Sequence, residues 1–301
     1  MSSKSAITIP SSAELESQTS QHHDGLACSI QDNGRKLLLQ LFSRSVLKQE
    51  KLRQIKLSLP EINTQKCLDL GADNGVISYL LRADGGTWWS ADLTPSVVAA
   101  IRRMVDSNVA LVTGPLPYED SFFDVVVVID MLEHVEDDRY FINELSRILK
   151  PGGLLIINAP NLKRYSLLRI FRNVIGQTDE AHGHLRPGYD ESALRNLTKN
   201  SFKMSGSRTY SGFFSETIDT LIVYAYSLIA GKKPHSETTS KKDNCEEASK
   251  GLVITENELR KFEKNFRLYS KIYPFVKMVS RLDKFLYPFS GYMRISTFVK
   301  N

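Results

Sequence analysis

The stretch from residue 67 to residue 75, CLDLGADNG, constrains the fold of this chain more than any other. An apolar strand ends at Asp69 and leads into a turn bracketed by Gly71 and Gly75, and a helix-forming segment, 76–81, follows. Strand, glycine-rich turn and helix are the elements with which a parallel α/β sheet holds a nucleotide-like ligand. Glycines allow the backbone to approach such a ligand closely. The stretch therefore predicts a parallel α/β sheet with a ligand beside this strand.

Further landmarks follow in the order expected of such a sheet. Residues 88–92, WWSAD, are predicted to be a second strand ending at Asp92, which lies at a suitable spacing after Asp69 to accept the ribose hydroxyls of a nucleoside. Residues 125–129 form a continuous β-branched run, which is typical of a central parallel strand buried on both faces. A helix is predicted over 139–149, closed by a Lys-Pro-Gly-Gly stop signal, and the next strand over 154–160.

Four of these stretches carry a family resemblance: LDLGADNG (68–75), SADLTP (90–95), LPYEDSFFDVVVVIDMLEHVED (116–137) and ELSRILKPGGLLIINAPN (144–161). In their order and approximate spacing, the chain resembles the class I S-adenosylmethionine-dependent methyltransferases, in particular the type 11, quinone-pathway-like domain. The resemblance implies a doubly wound, mostly parallel, seven-stranded Rossmann-like methyltransferase sheet. We also expect helical additions at the C-terminus.

The resemblance also implies the cofactor, S-adenosyl-L-methionine, and the residues around it. Asp92 would hold the ribose hydroxyls, Leu93 would lie against the adenine, and Asp130 would lie under the sulfonium. The remaining implied contacts are with the methionine end (Asp69, Gly71 and Gly75) and with the adenine, from the turn containing Gly114 and Leu116.

Two departures from the family pattern are visible. Asp73 replaces the usual middle glycine, so its side chain is predicted either to face the cofactor's ammonium or to cap the next helix. The turn 112–117 lacks the acid that many members place after the third strand. These departures motivate an alternative in which the protein is a catalytically degenerate cofactor-binding or membrane-associated scaffold.

Three histidines are candidate catalytic residues. His182 and His184, if extended, present both side chains on one face, and an imidazole there can act as general base for a hydroxyl acceptor. The alternative is that they hydrogen-bond to loop carbonyls. His134 is a candidate acceptor-side residue. In a helix it would share a face with Asp130 and Glu133, an arrangement that could bind a divalent cation. Because the same run occurs in family members without metal, we predict no metal.

The chain outside the motifs suggests further contacts. From residue 252 onward, aromatic residues alternate with an excess of basic ones, which suits a helix packed on the core or an anionic membrane surface. Residues 164–176 form a basic amphipathic pattern. A nucleic-acid partner is the least favoured, since 130–133 read Asp-Met-Leu-Glu where base-modifying enzymes often carry Asn/Asp-Pro-Pro-aromatic. We expect a cytoplasmic protein, with peripheral contact at the inner membrane face as a further expectation.

These observations predict a methyltransferase acting on an oxygen of a small or lipid-linked amphipathic acceptor, either a quinone precursor or an envelope glycan or glycolipid. Nitrogen and carbon acceptors are less favoured. The predicted organisation is a disordered head (1–25), a helical cap (26–61), the methyltransferase core (62–210) with a substrate-side insertion (163–190), an apolar helix (211–231), a mobile polar loop (232–251) and a basic aromatic helical tail (252–301).

Overall fold

The structure of the chain is a computed structural model, and it describes residues 34–105, 108–162, 185–229, 269–286 and 291–301. The predicted head 1–25, polar loop 232–251 and amphipathic segment 164–176 lie outside these ranges. The chain divides into two compact units, Met1–Leu41 and Phe42–Asn301. Residues 34–42 form helix α1, and the sheet described next belongs entirely to the second unit.

A seven-stranded sheet runs through the described residues of the second unit. In space the order of the strands is β3-β2-β1-β4-β5-β7-β6. The neighbouring pairs among β1 to β5 are parallel, and β7 is antiparallel to both β5 and β6. This confirms the predicted doubly wound, mostly parallel Rossmann-like fold. The strands are β1 Lys66–Leu70, β2 Thr87–Asp92, β3 Val109–Leu111, β4 Phe123–Ile129, β5 Leu149–Pro160, β6 Phe202–Tyr210 and β7 Met293–Lys300.

Helices connect and flank these strands. The Asp137 side chain caps the helix after β4 by accepting a hydrogen bond from Tyr140 N, which satisfies one of the free donors of the first turn. The described helices after α1 are α2 Val46–Lys56, α3 Val76–Arg82, α4 Pro95–Met104, α5 Asp138–Ile148, α6 Glu191–Thr198, α7 Phe213–Ile229 and α8 (269–280), with 3-10 turns at Leu132–His134 and Arg281–Leu286. None of them combines the length and the apolarity that crossing a bilayer requires.

The core lies on both faces of the central strands. Residues 125–129 of β4 are all buried, as the continuous β-branched run predicted for a strand covered on both sides. Phe123, Leu145 and Phe298 are among the fully buried side chains packed in the same cluster. Phe298 comes from β7, so the last strand of the chain contributes directly to the core of the domain.

The extent of the helical tail is the main correction to the predicted organisation. Residues 269–286 are helical, but Met293–Lys300 form β7. The predicted core boundary at residue 210 therefore leaves out a strand of the sheet. β7 pairs with β5 on one side and with β6 on the other, so its backbone hydrogen bonds are satisfied within the sheet. Such pairing stabilises an extended conformation that the aromatic and basic pattern of the tail did not predict.

The position of β7 also determines where the preceding segment lies. Met293, the first residue of β7, is opposite Tyr210, the last residue of β6, and Pro160, the last residue of β5. Residues 211–292 therefore leave the sheet and return to it at the edge where the carboxyl ends of the parallel strands lie. In open α/β sheets this is the edge at which ligands bind.

Candidate functional site

The glycine-rich turn after β1 packs against the end of β4. Gly71 has φ +83°, a left-handed conformation that favours glycine. A Cβ atom on Gly71 would lie 2.2 Å from Ile129 O and 2.8 Å from the Met131 Cβ, so a larger residue does not fit. Gly75 has φ +79° and is the N-cap residue of α3. The order of the strands reverses between β1 and β4. The crevice beyond the carboxyl ends of these two strands is therefore the topological switch point, at which such sheets bind ligands.

Asp69, at the start of the motif, stabilises this turn through contacts with β2 and α3. Its carboxylate is fully buried and accepts hydrogen bonds from Ser78 Oγ at 2.6 Å and Ser90 Oγ at 2.8 Å. Arg82 lies 3.5 Å from the second oxygen. Burial raises the pKa of Asp69, and Arg82 and the two serines oppose that shift. The observed contacts therefore tie β1, β2 and α3 together, while the implied contact with the methionine end of the cofactor stays a prediction.

The acid at the end of β2 lies where the motif spacing placed it. Asp92 is 9% exposed, and its Oδ1 accepts a hydrogen bond from Thr94 N at 2.9 Å. Burial raises the pKa of Asp92, and hydrogen bonds from the next two residues oppose the shift. Leu93 beside it is 39% exposed, which leaves an apolar side chain at the rim of the crevice.

The turn that was expected to border the adenine is held by α5. Leu116 is buried, and its backbone N donates to Glu144 Oε2 at 2.9 Å, while its O accepts from Arg147 Nη2 at 2.9 Å. Gly114 lies in the same turn, with open space where a side chain would project. A helix on the flank of the sheet thus fixes this turn next to the end of β3.

A chain of hydrogen bonds joins the residue after β4 to side chains of β5 and β6. Asp130 has φ +46°, unusual for a residue other than glycine, and its Oδ1 accepts from Asn158 Nδ2 at 2.6 Å. Asn158 is fully buried, and its Oδ1 accepts from the Tyr210 hydroxyl at 2.6 Å. Burial raises the pKa of Tyr210 well above its ordinary value. Asp130 was predicted from the motif, whereas the roles of Asn158 and Tyr210 were missed.

Helix α2 brings two lysines to the same crevice. Lys51 Nζ donates to the Asp130 carboxylate, and Lys48 Nζ lies 3.2 Å from Asp73 Oδ2. Of the two predicted orientations for Asp73, capping of α3 is not observed, because Asn74 Oδ1 accepts from Val76 N instead. Nothing in the local sequence around Lys48 and Lys51 marked them as site residues.

Glu133 is a buried acid in the turn that follows Asp130. Its side chain is 1% exposed, and its Oε2 has no hydrogen-bond partner among the described residues. Burial raises the pKa of Glu133 to about 8, and the nearby Asp130 carboxylate adds to the shift while Lys51 opposes it. From the sequence, Glu133 was expected only as a possible metal ligand.

Asp130, Glu133 and His134 do not share the helical face that a metal site would have required. Only Leu132–His134 adopt a helical turn, of the 3-10 type, and Asp130 is left-handed. Within the described ranges, no three His, Cys, Asp or Glu side chains are arranged to share a metal ion. His134 is partly exposed, and its backbone N donates to Met131 O at 3.0 Å.

The chain that follows the predicted histidine pair is anchored to the same turn. Leu185 N donates to Glu133 O at 3.0 Å, and Arg186 Nη2 donates to Glu136 O at 2.7 Å. The Tyr189 hydroxyl donates to Asp138 at 3.1 Å. His182 and His184 themselves lie outside the described residues, so their predicted role as a base stays a prediction.

Part of the chain is similar in sequence to known methyltransferases. Residues 68–157 match the family model described as "Methyltransferase domain". A ubiquinone biosynthesis O-methyltransferase of Xylella fastidiosa is 28% identical over 103 residues, 32% of this chain and 42% of that protein. A demethylmenaquinone methyltransferase of Clavibacter sepedonicus is 35% identical over 98 residues, 31% of this chain and 40% of that protein. The matches therefore span less than half the length of these relatives.

Among solved structures, the [4+2]-cyclase SpnF has a similar fold. Its TM-score is 0.51 at 13% sequence identity, and the alignment covers 84% of this chain and 80% of SpnF. At this identity the likeness concerns the fold alone. Fold alone does not decide the reaction, which has to be argued from the site.

The family match and the fold together define the class. The chain carries a class I S-adenosylmethionine-dependent methyltransferase domain, as predicted, and S-adenosylmethionine is confirmed as the cofactor of that domain. The residues present fit this cofactor, because the turn at Gly71 and Gly75 follows β1 at the topological switch point and Asp92 presents a carboxylate at the end of the neighbouring strand.

Proposed function

We propose that this protein transfers the methyl group of S-adenosylmethionine to an oxygen of a small or lipid-linked amphipathic acceptor. A quinone precursor or an envelope glycan or glycolipid fits this description. The chain resembles ubiquinone and demethylmenaquinone methyltransferases, whose names indicate small-molecule acceptors, and this supports a small-molecule acceptor here. The observation that carries the proposal is the crevice between β1 and β4, where the glycine turn, Asp92 and Asp130 meet at one edge of the sheet.

In this proposal the residues of the crevice bind and orient the cofactor. Gly71 and Gly75 admit its methionine end, Asp92 accepts hydrogen bonds from the ribose, and Asp130 faces the sulfonium. Leu93 and the turn with Gly114 and Leu116 contact the adenine. The bound cofactor supplies an already activated methyl group, so the protein has to align the acceptor with the S–CH₃ bond and exclude water.

The acceptor hydroxyl has to lose a proton as its oxygen bonds to the methyl carbon, while the S–C bonding electrons return to sulfur. Glu133 is a candidate base, because a carboxyl with a pKa of about 8 is partly ionised at neutral pH and is a stronger base than an ordinary glutamate. His134, in the same turn, is a second candidate. His182 and His184 remain candidates from the inserted segment.

An amphipathic acceptor is supported by the surface of α8 and the turn after it. Tyr273 and Val276 are buried, so one face of this helix packs on the domain. The opposite side is apolar and exposed: Ile272 (48%), Phe275 (60%), Met278 (56%) and Leu282 (41%). Lys271, Lys277 and Arg281 lie exposed beside them. Exposed apolar residues with basic neighbours suit an anionic membrane surface, so we place the protein at the cytoplasmic face of the inner membrane.

Vesicle binding tests this membrane contact. The full chain should sediment with vesicles containing phosphatidylglycerol but not with pure phosphatidylcholine vesicles, and added salt should weaken the binding because it screens the basic residues. The double variant Phe275→Ser/Met278→Ser should lose binding while unfolding at the wild-type temperature. Leu57→Ser, which replaces an equally exposed leucine on α2's C-terminal side, is the matched control. Undiminished binding by the double variant would contradict the proposed surface.

Methyl transfer tests the function itself. Titration calorimetry with S-adenosylmethionine and S-adenosylhomocysteine should show binding of both. Incubation with radiolabelled S-adenosylmethionine and an envelope extract should then label an organic-soluble product, with Asp92→Ala as the negative control. A folded protein that binds the cofactor and labels nothing in any extract would support the alternative of a catalytically degenerate scaffold. The ion pair between Lys51 and Asp130 is the observation that favours this alternative, because it gives the Asp130 carboxylate a cationic partner from the protein.

A further inference from the structure

Lys51 is a cation placed at the topological switch point by a helix outside the family motifs. Its ammonium donates to one oxygen of Asp130, whose other oxygen accepts from Asn158 at 2.6 Å. The Lys51 side chain is 21% exposed and that of Asp130 is 29% exposed. The pair therefore lies partly inside the crevice, where water screens charges less than it does at the surface.

Helix α2 is held so that Lys51 keeps this position. Arg208 of β6 donates to the Gln54 side chain at 2.6 Å and to Gln54 O at 2.9 Å. On the other side, Gln49 Nε2 donates to the Tyr273 hydroxyl of α8 at 2.9 Å. Ile55 of the same helix is fully buried. Contacts on both flanks of Lys51 thus fix the helix that carries it.

The charges around Lys51 are acidic. Burial opposes the charged form of Lys51 most strongly, but Asp130, Asp73 and Glu133 together outweigh burial, so the pKa of Lys51 is raised. Lys51 therefore remains a cation in the crevice. Lys48 on the same helix provides a contrast, since the side chains of its pair with Asp73 are 46% and 71% exposed. Solvent screens that outer pair strongly.

We propose that Lys51 sets how strongly the crevice prefers the cationic methyl donor over its neutral demethylated product. This inference rests on the proposed function, in which Asp130 faces the sulfonium. Asp130 attracts the positive sulfonium, and Lys51 offsets part of that attraction. By doing so, Lys51 keeps the crevice from holding the sulfonium too tightly, which matters because positive charge leaves the sulfur as the methyl group is transferred.

The two ligands isolate this effect of charge. S-adenosylmethionine carries a sulfonium, whereas S-adenosylhomocysteine carries a neutral thioether and shares the rest of the structure. A substitution that only loosens the crevice should weaken the binding of both ligands by the same factor. Removal of a positive charge beside the sulfur position strengthens the binding of the cation relative to the neutral ligand, so the ratio of the two dissociation constants reports the charge alone.

The experiment measures both dissociation constants by titration calorimetry for the full chain and its variants. In Lys51→Gln, which keeps a donor for Asp130 without the charge, the preference for S-adenosylmethionine over S-adenosylhomocysteine should rise about three- to tenfold. Lys51→Arg retains the charge and should keep the wild-type ratio. Lys56→Gln, the matched control at the C-terminal end of α2, where Lys56 pairs with Asp84, should change the ratio by less than about twofold.

Thermal unfolding of each variant accompanies the titrations. If Lys51→Gln does not fold, Asp130→Asn replaces it, and the preference should then fall, because the attracting carboxylate is lost. An unchanged ratio in a folded Lys51→Gln protein, or in Asp130→Asn, would overturn the inference but leave the proposed function standing. Failure of the wild-type protein to bind either ligand would overturn the proposed function, and the inference with it.

Discussion

Replacement of Glu133 by glutamine should make the stability of the protein less dependent on pH. The Glu133 side chain is 1% exposed, and its pKa is raised from 4.5 to about 8, mainly by burial. Glutamine has nearly the same shape and carries no ionisable proton. The comparison of Glu133→Gln with the wild type therefore isolates the cost of ionising this carboxyl inside the domain.

The direction and size of the effect follow from proton linkage. Between pH 4.5 and about 8 the native state keeps a proton on Glu133 that the unfolded chain has already released, so rising pH favours unfolding. Each pH unit in this window lowers the free energy of unfolding by about 1.4 kcal/mol. From pH 5.5 to 7.5 the wild type should thus lose roughly 2–3 kcal/mol that the glutamine variant retains, which corresponds to a difference of roughly 5 °C in Tm.

Thermal and urea unfolding at pH 5.5, 6.5 and 7.5 measure this difference. The difference in free energy of unfolding between variant and wild type should be smallest at pH 5.5. It should increase in favour of the variant at pH 6.5 and again at pH 7.5. Glu136→Gln is the matched control, because Glu136 is exposed and lies three residues further along the chain, and it should follow the wild type throughout. A difference between Glu133→Gln and the wild type that stays constant with pH would refute the reasoning.

Two further substitutions test the crevice and the hydrogen-bond chain beside it. Asp92→Ala should weaken S-adenosylmethionine binding about tenfold or more, because charge-assisted hydrogen bonds to the ribose are lost, and unchanged affinity in calorimetry would contradict the ribose role. Tyr210→Phe should lower the free energy of unfolding by about 1–3 kcal/mol, because the fully buried Asn158 Oδ1 loses its donor. Tyr140→Phe, at an exposed tyrosine of α5, is the control in urea unfolding, and equal losses in both variants would rule out that explanation.

The central part of the fold could be predicted because its signals are local. A β-branched run such as 125–129 is favourable only in a strand covered on both faces, and β4 is such a strand. Likewise the turn at Gly71 and Gly75 has the left-handed conformations that glycine allows. The spacing from Asp69 to Asp92 placed both acids at the carboxyl ends of adjacent strands. Each of these inferences uses residues that are close in sequence.

The electrostatics of the site could not be predicted in the same way. Asp69 belongs to the motif, but its burial among Ser78, Ser90 and Arg82 depends on how three elements pack. Lys51 reaches Asp130 from a helix that lies far from it in sequence, and no local pattern marks such a pair. The raised pKa of Glu133 arises from desolvation, which is a property of the packed structure and not of the residue type.

The last strand was missed for a related reason, and its position bears on acceptor choice. β7 is separated from β6, its partner in the sheet, by residues 211–292, so its pairing is invisible to any local pattern. Because β6 ends and β7 begins at the ligand edge, both ends of that long segment are fixed beside the crevice, and α7 and α8 lie within it. A conventional sheet with an inserted segment at this edge can keep the cofactor site constant while the insertion selects the acceptor. The basic, partly apolar surface of α8 thus belongs to the segment that, in the proposed function, would receive the amphipathic acceptor.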